Sequence, residues 1–503
     1  MSVRRWLAAS AVVVVVAVAL TLVFVGAAPD RPLRVGSKTF TEQVVLGEVL
    51  EQLASSAGTN AEHRRDLGDS RILFNALLAG DLDAYPEYTG TLFAELLRDE
   101  DLPGFAELRE HLGGLGLGIS EPIGFNNTYA IAMRRERAAE LGVARVSDLA
   151  DHPGLRMGFT PGFMERADGW PGLRAAYGLA GLDARGMNHD LAYRALESGD
   201  IDAVDAYSTD AEIAYYDLVW LEDDRRFFPR YDAVVLYRLD LAERAPEALA
   251  AMLRLEGALD ALAMSALNES AKIGRVPEAV VAQRFIAEAF GVETQAVVET
   301  RAQRLVRTTL EQLRLVGVSM LAAVLVSIPL GIVAARVRPA APLVLGAVGI
   351  LQTIPALALL VLLIRPFGLT STTAIVALFL YSLLPIVRNT HAALTSIPGD
   401  LRESADAIGL TAAQRLRWIE MPLATRSILA GIKTAIVINI GTATLAALIG
   451  AGGYGQPILT GIRLDDFGLI LEGAVPAAAM AIVFGLTFDG IERAITPRGL
   501  RAA

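Results

Sequence analysis

The sequence predicts a two-lobed α/β domain joined to an all-α membrane domain, on three observations. The chain has 503 residues, 53% of them hydrophobic, with a positive mean hydropathy, more apolar material than a soluble core of that length requires. Its charge is split: residues 301–503 carry 17 Lys and Arg against 10 Asp and Glu, a net +7, which leaves −18 for residues 1–300. The hydrophobic pattern also changes, from short apolar strands alternating with amphipathic helices to apolar runs of about twenty residues. Several chemistries are excluded. Without cysteine there is no disulfide, thiolate site or Cys nucleophile, and five histidines with no HxxxH spacing leave little for zinc, so no metal or cofactor is expected. No G-x-S-x-G or paired His supplies a hydrolase, so no catalytic residue is expected, and no nucleic-acid partner is expected either.

In chain order, "RRWLAASAVVVVVAVALTLVFVGAA" within residues 1–29 reads as an uncleaved signal anchor, long enough to cross a hydrocarbon layer of about 30 Å. Arg4 and Arg5 keep its amino end in the cytoplasm and send residues 30–295 outside. In that domain "LRVGSK", "LRMGFT", "DAVDAY" and "AVVLYRL" read as strands, and "EQVVLGEVLEQLASSAG" as an amphipathic helix ended by glycine. Pro86, in "DLDAYPEYTGTLF", is expected to end a strand at a cleft edge. Residues 296–503 hold five apolar spans, near 312–335, 342–364, 369–387, 427–450 and 468–490. The arginines fall in "ARVRPA", in the segment from Arg388 to Arg426 and in the tail, while the outer loops hold only Arg365 and Arg463 beside Asp465 and Asp466; this satisfies the positive-inside rule.

A resemblance then becomes specific. "VGSKTFTEQVVLGEVLEQL", "FNALLAGDLDAYPEYTGT", "GFNNTYAIAM", "RADGWPGL", "DAYSTDAEI" and "LEDDRRFFPRYDAVVL" occur in the order and at the separations of the substrate-binding proteins of bacterial ABC importers for quaternary ammonium osmoprotectants, of the glycine betaine, choline and carnitine type. The likeness implies a type II periplasmic-binding-protein fold. A trimethylammonium head has no N–H to donate, so a site must grip it with aromatic faces. By this resemblance the cage falls on Tyr88, Tyr129, Tyr207 and Tyr231, and a carboxylate-holding set on Lys38, Thr91 and Arg166. The residues alone leave other readings: a tyrosine in a strand is ordinarily packing, Arg166 could pair with Asp168, and Asn126 and Asn127 could bond a crossover strand or a ligand. "LGDSRILF" departs from the glycine-glycine-threonine turn of many relatives, and its Asp69 adds negative charge that suits a pure cation as well as a zwitterion.

Residues 305–495 resemble the permease subunit of the same importers, through "EQLRLVGVSMLAAVLVSIPLGIVAAR", "GILQTIPALALL", "LYSLLPIVRNTHAAL" and "INIGTATLAALIGAGGYGQPI". "ESADAIGLTAAQRLRWIEMP", within a loop at about 400–422, resembles the ATPase-coupling loop of ABC permeases, with Glu403, Ser404, Ala405, Gly409 and Pro422 at its pattern positions. Gln352 and Asn439, polar residues inside apolar spans, are the candidates for a translocation path. No G-x-x-x-x-G-K-[ST] loop is present, so ATP hydrolysis is expected on a separate ATPase subunit. One permease domain per chain implies a homodimer, multi-pass in a bacterial inner membrane, with the binding domain outside. The expected function is capture and ATP-driven import of a small quaternary amine. Alternatives are another methylated amine or betaine, such as carnitine or ergothioneine, and a membrane-bound sensor.

Overall fold

The computed structural model describes residues 31–100 and 102–495; the expected signal anchor lies outside them. Two compact units are present, one of Arg31–Glu299 with Thr460–Asp466, the other built on Thr300–Leu459 and the helix Phe467–Ile495.

The first unit contains ten strands among its described residues: β1 (Leu33–Gly36), β2 (Ala61–Arg64), β3 (Ala84–Tyr88), β4 (Leu117–Ile119), β5 (Tyr129–Arg134), β6 (Arg156–Phe159), β7 (Asp183–Gly186), β8 (Ala203–Tyr207), β9 (Leu218–Trp220) and β10 (Ala233–Arg238). They form two five-stranded sheets, ordered β2-β1-β3-β10-β4 and β7-β6-β8-β5-β9, each the centre of one lobe. The four strands read from the sequence all lie in these sheets. The helix Thr41–Ser56 fills the first lobe together with the helices Pro246–Leu253, Ala261–Lys272 and Glu278–Phe290, around a core of Val45, Leu46, Val49, Leu50, Val235 and Ile286. In the second lobe Ile131, Met157, Phe159, Phe163 and Trp170 make the corresponding core.

The chain crosses between lobes twice, after β4 and before β10. The two crossings pair with each other: Asn127 N donates to Tyr231 O at 3.0 Å, and Ala233 N to Phe125 O at 3.0 Å. A pair of hydrogen-bonded ribbons can bend as one, which makes this a hinge rather than two loose loops.

β3 does not end at Pro86 but runs through it to Tyr88. Pro86 lies opposite Val235, whose N–H and C=O both turn away to Ser120, the residue after β4. The missing proline N–H therefore costs no bond to β10, and the strand tolerates it.

In the second unit, four helices among the described residues are long and apolar enough to cross a membrane: Arg301–Arg336, Ser371–Thr395, the stretch Ala412–Ile449 and Phe467–Ala494. The apolar stretch expected as one span near 342–364 is two helices, Ala340–Thr353 and Ala356–Phe367, bent by 99°. The break falls at Ile354–Pro355, where proline removes a helical donor and crowds the preceding turn. Ser371–Thr395 is central, packing on Arg301–Arg336, on Met421–Ala443 and on both arms of the bent pair. At its crossing with the first two, Asn439 donates to Ser382 Oγ at 2.8 Å, Ser319 Oγ at 3.1 Å and the Leu378 carbonyl at 3.3 Å. Small residues and a buried amide joining three helices are the usual means of holding apolar helices together.

Candidate functional site

Between the lobes lies a cleft of about 690 Å³, and it collects all seven residues expected to hold ligand: Lys38, Tyr88, Thr91, Tyr129, Arg166, Tyr207 and Tyr231. They reach it from strand ends and turns of both sheets, the positions where an α/β fold leaves side chains unpaired. Tyr129 opens β5 and Tyr207 closes β8; they are cross-strand partners, so their rings meet with centroids 5.1 Å apart at 35°. Tyr231, on the returning crossover, stands edge-on to Tyr129 at 5.4 Å and 90°. Asn126 fixes it there, its Oδ1 accepting the Tyr231 backbone N–H at 2.7 Å, which gives Asn126 the crossover role. Gly90 passes so close to the Tyr231 ring that a Cβ would overlap it. Burial pushes the Tyr129 phenol up to about 12, so this face stays neutral at physiological pH. Tyr88 ends β3, packs against the same cluster and carries Lys38 Nζ 5.1 Å from its ring centre.

The cations of the site are engaged by the protein's own acids. Lys38 Nζ donates to Ser70 Oγ at 2.8 Å and to the buried Glu87 carboxylate. Arg166 grips Asp168 with two bonds, Nε to Oδ1 at 2.8 Å and Nη2 to Oδ2 at 2.5 Å, and its Nη1 reaches Glu95 from the first lobe. The Arg166–Asp168 pair is thus present, though as a buried fork rather than a surface contact. Burial acts to raise the Asp168 carboxyl, but the Arg166 guanidinium outweighs it and holds it below the usual range.

Behind the tyrosines sits a residue the sequence did not single out. Glu42 is buried, with Oε1 accepting from the Tyr88 hydroxyl and from Asn127 Nδ2 at 2.9 Å, and Oε2 from the Thr209 hydroxyl and from Asn268 Nδ2 at 3.2 Å. Asn127 therefore lines the cleft while its amide is committed to Glu42. Burial pushes the Glu42 carboxyl up, against the pull of Thr209, Tyr88 and Asn268. Four donors on two oxygens is the arrangement an ionised carboxylate satisfies.

A second buried chain supports Lys38 from behind: Glu48 Oε1 bonds His63 Nδ1 at 2.6 Å, and His63 Nε2 meets the hydroxyl of Ser37, the residue before Lys38, at 2.8 Å. Gly47 makes room, since a Cβ there would strike the His63 ring. Burial acts to raise Glu48, but the Arg65 charge and the His63 contact outweigh it and bring the carboxyl to about 2. A carboxyl depressed in the folded state stabilises above its unfolded value and loses that contribution as pH falls towards the folded one. Glu48 should therefore contribute roughly 3 kcal/mol at neutral pH, lost between about pH 4.5 and 2. In thermal melts, Glu48→Gln should lower the midpoint at pH 7 and flatten its acid dependence; curves parallel to wild type would remove Glu48 from that role.

In the second unit, Glu403, Ser404 and Ala405 lie on the helix Gly399–Ala407, the first two exposed and Ala405 buried. Gly409 takes φ +83°, the left-handed turn that lets the chain reverse before Thr411 caps the helix Ala412–Arg415. Arg415 Nη1 closes the turn on Asp406 at 2.5 and 2.6 Å, and Pro422 stands in the first turn of Met421–Ala443. The segment presents Ile408 at 75% and Trp418 at 57% exposure. Gln352 is half-buried in the last turn before the bend. Asn439, by contrast, is only 1% exposed and committed to helix packing.

Two hinged lobes around an aromatic cleft, on a chain that also carries apolar spans, define a ligand-binding domain fused to a membrane domain. Comparison with known proteins is specific for both parts. Residues 31–288 match the substrate binding domain of ABC-type glycine betaine transport systems, and residues 327–500 match the binding-protein-dependent transport system inner membrane component; the chain belongs to these families, which are families of transport components. The osmoprotectant import permease protein OsmW of Salmonella typhimurium is 44% identical over 38% of this chain and 92% of its own length. The choline transport system permease protein OpuBB of Bacillus subtilis is 40% identical over 40% of this chain and 94% of its own. A crystal structure of a glycine betaine/carnitine/choline ABC transporter is 29% identical, with a TM-score of 0.45, over 51% of this chain and 98% of that one.

Proposed function

We propose that this chain captures a quaternary ammonium osmolyte in the cleft and imports it. The observation that carries the reading is the cluster of Tyr129, Tyr207 and Tyr231, three rings turned on one cleft from the second lobe and the hinge. Such a cluster recognises a cation that cannot donate hydrogen bonds. The chain works as a homodimer in a bacterial inner membrane, with the cleft outside and a separate ATPase subunit docked on residues 400–422; the membrane-component match and the exposed Ile408 and Trp418 support this. Tethering each binding domain to its permease keeps loaded domains at high local concentration. Closure on ligand assists transport only if the permease favours the closed form.

Titration of the full chain in detergent with choline, glycine betaine, carnitine and tetramethylammonium tests the reading. Tyr207→Leu keeps apolar volume but removes a ring face, and should weaken binding by about 5- to 30-fold, the value of one desolvated cation–π contact of about 1–2 kcal/mol. An unchanged affinity would make the tyrosines packing only.

A further inference from the structure

Resting on that reading, we infer that the ligand is a quaternary amine whose other end is a neutral hydrogen-bonding group, as in choline, and that Glu95 sets this preference by supplying the carboxylate itself. Of the four lysines and arginines that line the cleft, Lys38 and Arg166 are the two expected to hold a ligand carboxylate, one from each lobe; Lys272 pairs with Glu212, and Arg463 with Asp66 and Glu278. Both are already engaged: Lys38 by Glu87, and Arg166 by Asp168 and Glu95. Glu95 follows Thr91, the third member of that set, by four residues on the same helical stretch, so the two share a face. From the first lobe Glu95 reaches across the cleft to Arg166; burial, with Glu87 and Asp69, pushes its carboxyl up, against the pull of Arg166 and Lys38.

Around these two cations stand four carboxylates, Glu87, Glu95, Asp168 and Asp69. Lys38 has a third N–H and Arg166 two more to offer, but a further carboxylate held by them would sit against Glu87, which is fully buried, or against Glu95. Either placement adds negative charge where negative charge is already in excess. A hydroxyl meets no such penalty, because it can donate to Glu95 and leave both ion pairs standing. Glu42, whose carboxyl burial pushes up, lies behind Tyr88 and accepts its hydroxyl. The Glu95–Arg166 pair also joins the lobes without help from the ligand, so a ligand carboxylate is not needed to bridge them.

The test is calorimetric titration of the purified full chain with choline and with glycine betaine, for wild type and Glu95→Gln. Wild type should bind choline at least about tenfold more tightly, the size of one partly screened like-charge contact. Glu95→Gln should shrink that ratio about tenfold or reverse it, by gaining betaine affinity rather than losing all binding. Equal or stronger binding of betaine by wild type overturns the inference and leaves the quaternary-amine reading intact. A ratio unchanged in a folded Glu95→Gln protein removes Glu95 from the role. Failure of choline, betaine and tetramethylammonium alike overturns the quaternary-amine reading, and this inference with it. The wild-type ratio decides even where the variant does not fold.

Discussion

Glu42→Ala should lower the stability of the binding unit by roughly 3 kcal/mol and abolish measurable ligand binding, because it strips the acceptor from four buried donors at once. Each donor left without a partner costs about 1–3 kcal/mol; the Tyr88 and Thr209 hydroxyls can rotate and water can enter, which keeps the total well below the sum. The loss reaches function because the four donors come from different places. Tyr88 belongs to the first lobe, Asn127 to the crossover, Thr209 follows β8 of the second lobe, and Asn268 lies on the helix Ala261–Lys272. One carboxylate thus sets the Tyr88 ring and ties the second lobe to the first. Glu42→Gln should fall between, since its amide nitrogen meets donors where an oxygen accepted them. Denaturant melts and choline titration of the full chain measure both effects. An alanine variant with wild-type stability and affinity would mean that water replaces the carboxylate without loss.

The contrast between what could be read in the sequence and what could not is physical. Strands β1, β6, β8 and β10 were legible because each is a short apolar run bounded by turn residues. The seven cleft residues were legible because each sits inside a quoted motif. Their partners were not: Lys38 meets Glu87 and Arg166 meets Glu95 across separations of 49 and 71 residues, and no local pattern encodes that. The helix Thr41–Ser56 misled most. Its sequence reads as amphipathic, yet 13 of its 16 residues are buried, because strands cover one side and three helices the other. Glu42 looks like an acid favoured at any helix start, where it faces a positive dipole end. The signal that could have exposed it is the combination of Glu42, Gln43, Glu48 and Gln52 around a helix whose remaining faces are Val and Leu. Polar groups on every side of an enclosed helix must have internal partners. In the membrane unit, hydropathy is blind to direction, so 342–364 read as one span although Pro355 turns it by 99°.

If an ATPase docks on residues 400–422 as proposed, Glu420→Ala should leave ligand binding unchanged and reduce ATP-driven uptake more than about tenfold, because it separates the charged segment from the helix Arg301–Arg336. Glu420 is buried, and three arginines converge on it: Arg336 at 2.5 Å, Arg415 at 3.2 Å and Arg402 at 3.7 Å. Arg336 ends the long helix Arg301–Arg336, Arg402 lies on Gly399–Ala407, and Arg415 ends the short helix after Gly409. The carboxylate is therefore the knot by which both short helices are fixed to a long apolar helix. A knob that swivels on its Gly409 turn would absorb the motion of a docked ATPase, whereas one pinned through Glu420 passes it on. Glu420 is buried but its three arginines are part-exposed, so its loss costs less than the about 3–5 kcal/mol of a fully buried pair, with three cations left to repel one another. Glu420→Gln, which keeps the shape and some of the hydrogen bonding, should retain part of the transport. The measurement is choline uptake into proteoliposomes holding the chain and its ATPase, beside choline titration of the same preparation. Wild-type uptake by Glu420→Ala would show that force reaches the helices by another route. Equal loss of binding and uptake would place Glu420 in folding rather than in coupling.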